Sequence, residues 1–192
     1  MFIYLLQQIL RMKIFAFAAS NSRKSINKQL VSYTLTYFDG YDKNLIDLND
    51  YEMPIYSIDK ENENGIPQLA YQLASQIDES DLIICSFAEH NGAYTAAFKN
   101  ILDWISRIKG RKVWNDKPIF AMATSTGARG GSSVLEMAAK RIPFNGGRVV
   151  DTFSLPTFGE NFDPEKGIIN DNFRNELEEK INRLKSTLVF TV

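Results

Sequence analysis

The chain has 192 residues, 44% hydrophobic and 23% charged, a balance that fits one globular domain with its own core rather than a disordered or fibrous chain. Its 22 Lys and Arg nearly cancel 23 Asp and Glu, so the formal net charge is −1 and no basic stripe offers itself to nucleic acid or an anionic membrane. A single cysteine, Cys85, excludes a disulfide framework and a Cys-based metal site, and fits a reducing, cytoplasmic setting.

Residues 1–12 carry the apolar run Phe2-Ile3-Tyr4-Leu5-Leu6, too short for a membrane span and without the basic flank of a secretory signal. We read them as an N-terminal extension to a single domain over residues 13–187, with 188–192 as a tail. Lys13 to Ala18 is an uninterrupted apolar run, as in a strand buried on both faces. Asn27 to Phe38 follows with Leu30, Val31, Leu35 and Phe38 at near-helical spacing. Asn44 to Leu48 reads as a second strand. Pro67 to Glu79 reads as a helix, with Pro at its start and Leu69, Leu73 and Ile77 every four residues.

Asp81 to Phe87 is a third buried strand. Thr95 to Lys109 is the clearest helix, since Phe98, Ile101, Leu102, Ile105 and Ile108 share one face. Lys117 to Ser125 is a fourth strand, Ser132 to Arg141 a helix, Arg148 to Phe153 a fifth strand, and Asp171 to Lys185 a closing helix that Asp171 is placed to cap. Strand–helix alternation of this kind predicts an α/β fold: a doubly wound, five-stranded parallel sheet in the order 2-1-3-4-5, with helices on both faces. Ligands of such sheets bind beyond the strand C-termini, where the order reverses.

Three unusual loops leave strands at that edge. The first, Ser20 to Asn27, gathers hydroxyl and amide side chains before a helix whose first N–H groups have no internal partner, a setting suited to phosphate. An ordinary cap needs Ser25 alone and leaves the rest of the set unexplained. Neither a P-loop nor a G-x-G-x-x-G string is present, which favours a mononucleotide such as FMN over a tightly held dinucleotide. The second loop, Ala88 to Tyr94, holds an Asn91-Gly92 pair. That pair is a hairpin signal, but the helix that follows implies a turn presenting backbone amides to the crevice. His90, the only histidine, has no visible nucleophile partner and reads as a wall residue. The third loop, Thr124 to Gly131, has three glycines in five residues, which permits close backbone approach.

These residues resemble the NADPH-dependent FMN reductase family, whose phosphate motif is approximately G-S-x-R-x-x-S-x-N. The chain has Ala19-Ser20-Asn21-Ser22-Arg23-Lys24-Ser25-Ile26-Asn27, with one extra spacing before Arg23. Glu89-His90-Asn91-Gly92 is similar to the family's P-E-Y-N turn, and Lys99-Asn100-Ile101-Leu102-Asp103-Trp104 to its K-N-A-I-D-W helix. Ala19 stands for glycine, Ala88 for proline and His90 for tyrosine. The last two departures bear on flavin-edge contacts and substrate preference.

The resemblance implies a flavodoxin-like fold, a bound FMN, and NADPH or NADH as co-substrate. Its cofactor-binding set would be Ser20, Ser22, Arg23, Ser25, Ile26 and Asn27 around the phosphate. Ala88, Glu89, His90, Asn91 and Gly92 would follow the ribityl chain and pyrimidine edge, and Ser125, Thr126, Gly127, Gly130 and Gly131 the opposite side. No acid–base residue and no metal is called for, because the flavin carries the redox chemistry. The implied activity is NAD(P)H oxidation with a small acceptor: a quinone, flavin, azo compound or metal oxyanion. The alternatives are a flavodoxin-like electron carrier or a non-catalytic FMN-binding protein. The resemblance also implies a homodimer or homotetramer, with the Asp103-Trp104 helix near the subunit contact. Trp104 lies off that helix's apolar face, as either an interface aromatic or a partly buried edge residue would.

Overall fold

The computed structural model describes residues 12–189, with side chains to residue 187. The N-terminal extension before Met12 and the end of the tail lie outside the described residues. Met12 itself is buried, and its carbonyl accepts the Asp42 N–H at 3.0 Å.

Five parallel strands form the main sheet: β1 (Lys13–Ala19), β2 (Asp42–Ile46), β3 (Leu82–Phe87), β6 (Pro118–Thr124) and β7 (Arg148–Leu155). Their spatial order is β2-β1-β3-β6-β7, the doubly wound, flavodoxin-like order expected from the strand–helix alternation. The alternation of side chains across the pleat divides the interior into two cores. Phe15, Phe17 and Ala19 of β1 join one core with α3 (Gln68–Glu79), α4 (Ala96–Ile105) and α5 (Ser132–Phe144). Ile14 and Ala16 join the other with α1 (Ile26–Leu35) and α7 (Asp171–Val189). Since β1, β3 and β6 are covered on both faces, their residues are apolar without alternation.

The element boundaries show where local chemistry overrides periodicity. Phe38 continues the apolar spacing of α1, but the helix gives way after Leu35 to tighter turns, with Thr36, Tyr37 and Phe38 N–H bonded three residues back. The same tightening follows α4, where Arg107 and Ile108 bond back to Trp104 and Ile105. β2 pairs Asp42 with Lys13 and ends at Ile46, so Leu48 enters a short 3₁₀ turn over Leu48–Tyr51 instead of the strand. Asn170, not Asp171, caps α7: its side-chain oxygen accepts the Asn172 N–H at 3.0 Å.

Elements too short to show a hydrophobic period leave no signal in the sequence. The helix α2 (Ile58–Asn64) buries none of its residues, and α6 (Phe158–Asn161) is a single turn. The hairpin of β8 (Phe162–Asp163) and β9 (Gly167–Ile168) is held at its turn by Asp163, which accepts the Glu165 and Lys166 N–H groups at 2.9 Å each.

The structure corrects the reading of Trp104 as an interface or edge aromatic. It is 1% exposed, its indole N–H donates to the Pro54 carbonyl at 2.7 Å, and Tyr56 meets its ring edge-on at 5.0 Å. The segment after β2 folds over α4 and covers the face that the helical wheel left open. Asn100 secures that strap by accepting the Tyr56 N–H and donating to the Met53 and Pro54 carbonyls.

Candidate functional site

The first loop leaves β1 at Ser20, which is buried and accepts the Ser22 N–H at 3.2 Å. The Ser22 carbonyl then accepts the Ser25 N–H at 3.1 Å, and the Ser25 hydroxyl oxygen caps α1 by accepting the Lys28 N–H at 3.2 Å. These bonds curl the chain so that Asn21, Ser22, Arg23 and Lys24 stand exposed at the helix mouth. The N–H groups of Arg23, Lys24, Ile26 and Asn27 have no acceptor among the described residues. The first turn of α1 carries no acidic residue, so its positive end is uncompensated. Ile26 is half-buried against the α1–α7 core.

Asn27 is 3% exposed and its amide is engaged through both oxygen and nitrogen. Its side-chain oxygen accepts from the Ser86 hydroxyl at 2.7 Å and the Thr124 N–H at 3.1 Å, while its amide nitrogen donates to the Thr124 carbonyl at 3.2 Å. One side chain therefore fastens the first loop to the ends of β3 and β6. Thr95 adds a second tie by donating its hydroxyl to the Ala19 carbonyl at 3.1 Å while capping α4. Ser86 and Thr95 were missed from sequence, although a hydroxyl inside an otherwise apolar buried strand is a signal that something polar faces it.

The second loop departs from expectation. Asn91 and Gly92, at φ 52° and 77°, form a two-residue hairpin turn between β4 (Glu89–His90) and β5 (Ala93–Tyr94). This corrects the expectation of a turn with no return strand: a two-residue return strand, Ala93–Tyr94, precedes the helix that starts at Ala96. Both central φ values are positive, as a type I′ turn requires. Ala88 is buried, while His90, Asn91 and Gly92 are exposed at the tip. Burial raises the Tyr94 phenol above its ordinary value, a shift that Arg141 partly opposes.

Glu89 reaches the crevice with its carboxylate already committed. One oxygen accepts the Val134 N–H at 2.9 Å in the first turn of α5, and the other lies 3.7 Å from the Arg129 guanidinium. Gly131 begins α5 in the left-handed region and has no side chain to cap it, so a carboxylate 45 residues upstream does so. Of the two helix N-termini here, α5 is neutralised by Glu89 and α1 is left open.

The third loop points its carbonyls inward. Ser125 and Gly127 accept from the Phe158 and Thr157 N–H groups, and Gly130 accepts from the Ser154 hydroxyl, each at 3.0 Å. The Ser125 hydroxyl donates to Gly127 at 3.2 Å. The Thr126, Ala128 and Arg129 N–H groups are left without acceptors among the described residues. Gly130 has φ 58°, and a Cβ there would stand 2.3 Å from the Ser154 hydroxyl oxygen. Cys85 lies beneath, fully buried, and burial pushes its thiol up, so it is no nucleophile.

The three loops thus meet at the β1/β3 switch point. Around them lie a groove of about 240 Å³ bordered by Asn21, Tyr51, Met53, Ile55 and Ala97, and two clefts of about 630 Å³, one along α1 and one along α5.

A model of the NADPH-dependent FMN reductase family matches residues 12–160. The chain belongs to this family. Among curated members of similar sequence, a 2-hydroxy-1,4-benzoquinone reductase of a Burkholderia species is 33% identical over 119 residues, 62% of this chain and 63% of that protein. A quinone reductase of Escherichia coli K12 is 31% identical over 81 residues, 42% of this chain and 43% of that one. Both matches span less than two thirds of the relative's length. In fold, the chain is similar to the flavoenzyme NAD(P)H:(acceptor) oxidoreductase of Paracoccus denitrificans. That likeness has a TM-score of 0.73 at 21% identity, over 93% of this chain and 95% of that one. An FMN-dependent NADH-azoreductase of Bacillus anthracis, solved with FMN, gives 0.64 at 13% identity over 91% and 99%. At these identities the likeness is one of fold. Among the described residues, no helix is long and apolar enough to cross a membrane.

Proposed function

We propose that the protein is an FMN-dependent NAD(P)H oxidoreductase that passes two electrons to a small acceptor of the quinone class. The observation that carries this reading is the open N-terminus of α1, unpaired N–H groups beside hydroxyls and Arg23, tied by Asn27 to the ends of β3 and β6. That donor set fits a phosphate dianion, and the first turn of α1 carries no acidic residue of its own.

In this reading Ser22, Ser25, Arg23 and the N–H groups of Arg23, Lys24, Ile26 and Asn27 hold the FMN phosphate. Asn27 and Ser20 shape the loop from below, and Ile26 packs it down. The hairpin of Glu89 to Gly92 and the outward N–H groups of Thr126 to Arg129 flank the ring, with Ser125, Gly130 and Gly131 setting their height. Bound FMN supplies the hydride and electron chemistry. The protein orients the ring, offers amide donors at its polar edge, and keeps its buried Cys85 thiol out of the reaction. The proposal includes assembly as a homodimer or homotetramer, for which Ile55 and Ile58, 78% and 52% exposed, offer apolar surface beside the 240 Å³ groove.

A steady-state assay of NADPH oxidation with 1,4-benzoquinone, on protein loaded with FMN, tests the reading. Quinone-dependent turnover that disappears without FMN is the expected result. A loaded protein that NADPH does not reduce would sink the reductase reading and leave an electron carrier or a binding protein.

A further inference from the structure

The outer face of α5 has features that holding the fold together does not use. Ser133, Met137, Lys140, Arg141 and Phe144 of α5, with Arg129 of the loop before it, line the cleft of about 630 Å³. Phe144 is 80% exposed, with the Arg141 guanidinium 5.7 Å from its ring centroid. Lys140 and Arg141 have no carboxylate at ion-pair distance among the described residues. Glu136 is the one acid on the cleft wall. Partly buried Met137 gives the floor an apolar patch against the core.

The cleft's position matters as much as its charge. Arg129 belongs to the third loop and contacts Glu89 of the hairpin, so one end of the stripe lies at the crevice. Phe144 lies twelve residues beyond Ser132, roughly 18 Å further along the helix. A dinucleotide with its nicotinamide at the crevice must lay its phosphates and purine over adjoining surface. This stripe offers cations, then an exposed aromatic face, in that sequence. The cleft along α1 is a poorer match. Lys28 there is bonded to Asp47 at 2.5 Å, Glu165 lines its wall, and the Tyr33 and Phe162 rings are packed edge-on against each other.

We propose that the outer face of α5 binds the adenosine half of NADPH, the purine against Phe144 and Arg141 and the 2′-phosphate on Lys140. The proposal rests on the reductase reading and adds to it a binding site and a preference for the phosphorylated dinucleotide. Arg129, 75% exposed and only 3.7 Å from Glu89, is free to turn toward the pyrophosphate without uncapping α5, because the Val134 N–H bond to Glu89 is separate.

The test is calorimetric titration of the FMN-loaded protein with 2′,5′-ADP, which carries the adenosine end and no nicotinamide. Saturable binding is expected, weaker for 5′-AMP, and reduced about tenfold or more in Lys140→Glu/Arg141→Glu, with Phe144→Ala weakening both ligands. The Lys140→Gln/Arg141→Gln variant, which reverses no charge, should show the same direction, and thermal unfolding of each variant checks that it folds. The KM for NADPH should rise with the loss of binding while FMN uptake stays unchanged. Absence of saturable 2′,5′-ADP binding, or binding undiminished in the variants, would overturn the proposal. If wild type turns over NADPH and the variants keep its KM, this assignment falls and the reductase reading stands. Binding of 2′,5′-ADP on this face by a protein that NADPH cannot reduce would mean the reverse.

Discussion

Asn27 and Thr124, 97 residues apart, exchange two hydrogen bonds, so the mouth of α1 and the end of β6 are held as one unit. The same amide oxygen takes the Ser86 hydroxyl at 2.7 Å, which brings in β3 as well. A side chain used in this way positions the phosphate loop from behind. Asn27→Ala would strand a buried hydroxyl and both main-chain groups of Thr124. We expect a loss of about 2–4 kcal/mol, read from urea unfolding, together with weaker FMN binding.

Gly130 is the other fixed point of the crevice. A methyl group there would collide with Ser154 and approach the Pro156 nitrogen to 2.9 Å, on a backbone already at positive φ. Gly130→Ala should cost about 1–3 kcal/mol and lower FMN affinity, because the third loop must lift away from β7. Fluorescence titration with FMN and thermal unfolding check the two effects separately.

Trp104 supplies a contrast between burial within the chain and burial between chains. Trp104→Phe removes the shorter of the two hydrogen bonds to the Pro54 carbonyl, leaving the one from Asn100, and shortens the ring under the strap. The expected result is a loss of about 1–3 kcal/mol in stability with the size-exclusion elution volume unchanged. A shift to a smaller species would show that Trp104 serves an interface after all.

Two partly buried carboxylates contribute to the acid limb of stability. The Lys28 ammonium, aided by the Asn49 N–H, holds Asp47 below the ordinary carboxylate value of 3.8. For Asp151, burial opposes ionisation, but the Thr152 N–H, Lys180 and Arg183 outweigh it and the pKa is again lowered. A folded value below the unfolded one means that the folded state binds fewer protons. The stabilisation is therefore full above about pH 4 and is lost as pH falls through the folded values. Urea midpoints should drop below about pH 4, and the gap between wild type and Asp151→Asn should narrow there.

Much of this was legible in the sequence because buried parallel strands need unbroken apolar runs, and β1, β3 and β6 display them plainly. The three loops were legible because hydroxyl and glycine clusters at strand ends serve little else. The strap over α4 was not. Ile55 and Ile58 are exposed, and the strap is held by Asn100 and Trp104 through main-chain carbonyls, which leave no pattern in side-chain hydropathy. Nor was the commitment of Glu89 to α5, since a cap supplied from 45 residues away has no local spacing to betray it. The hairpin at Asn91-Gly92 shows the limit of period-based reading, as two-residue strands are too short to alternate.

The most direct measurement compares FMN with riboflavin in fluorescence titrations of the purified protein. The open end of α1 is the proposed grip on the phosphate, so FMN should bind at least about tenfold more tightly, and Arg23→Glu should erase most of that advantage. Equal affinity for the two flavins, or no uptake of either, would contradict the account.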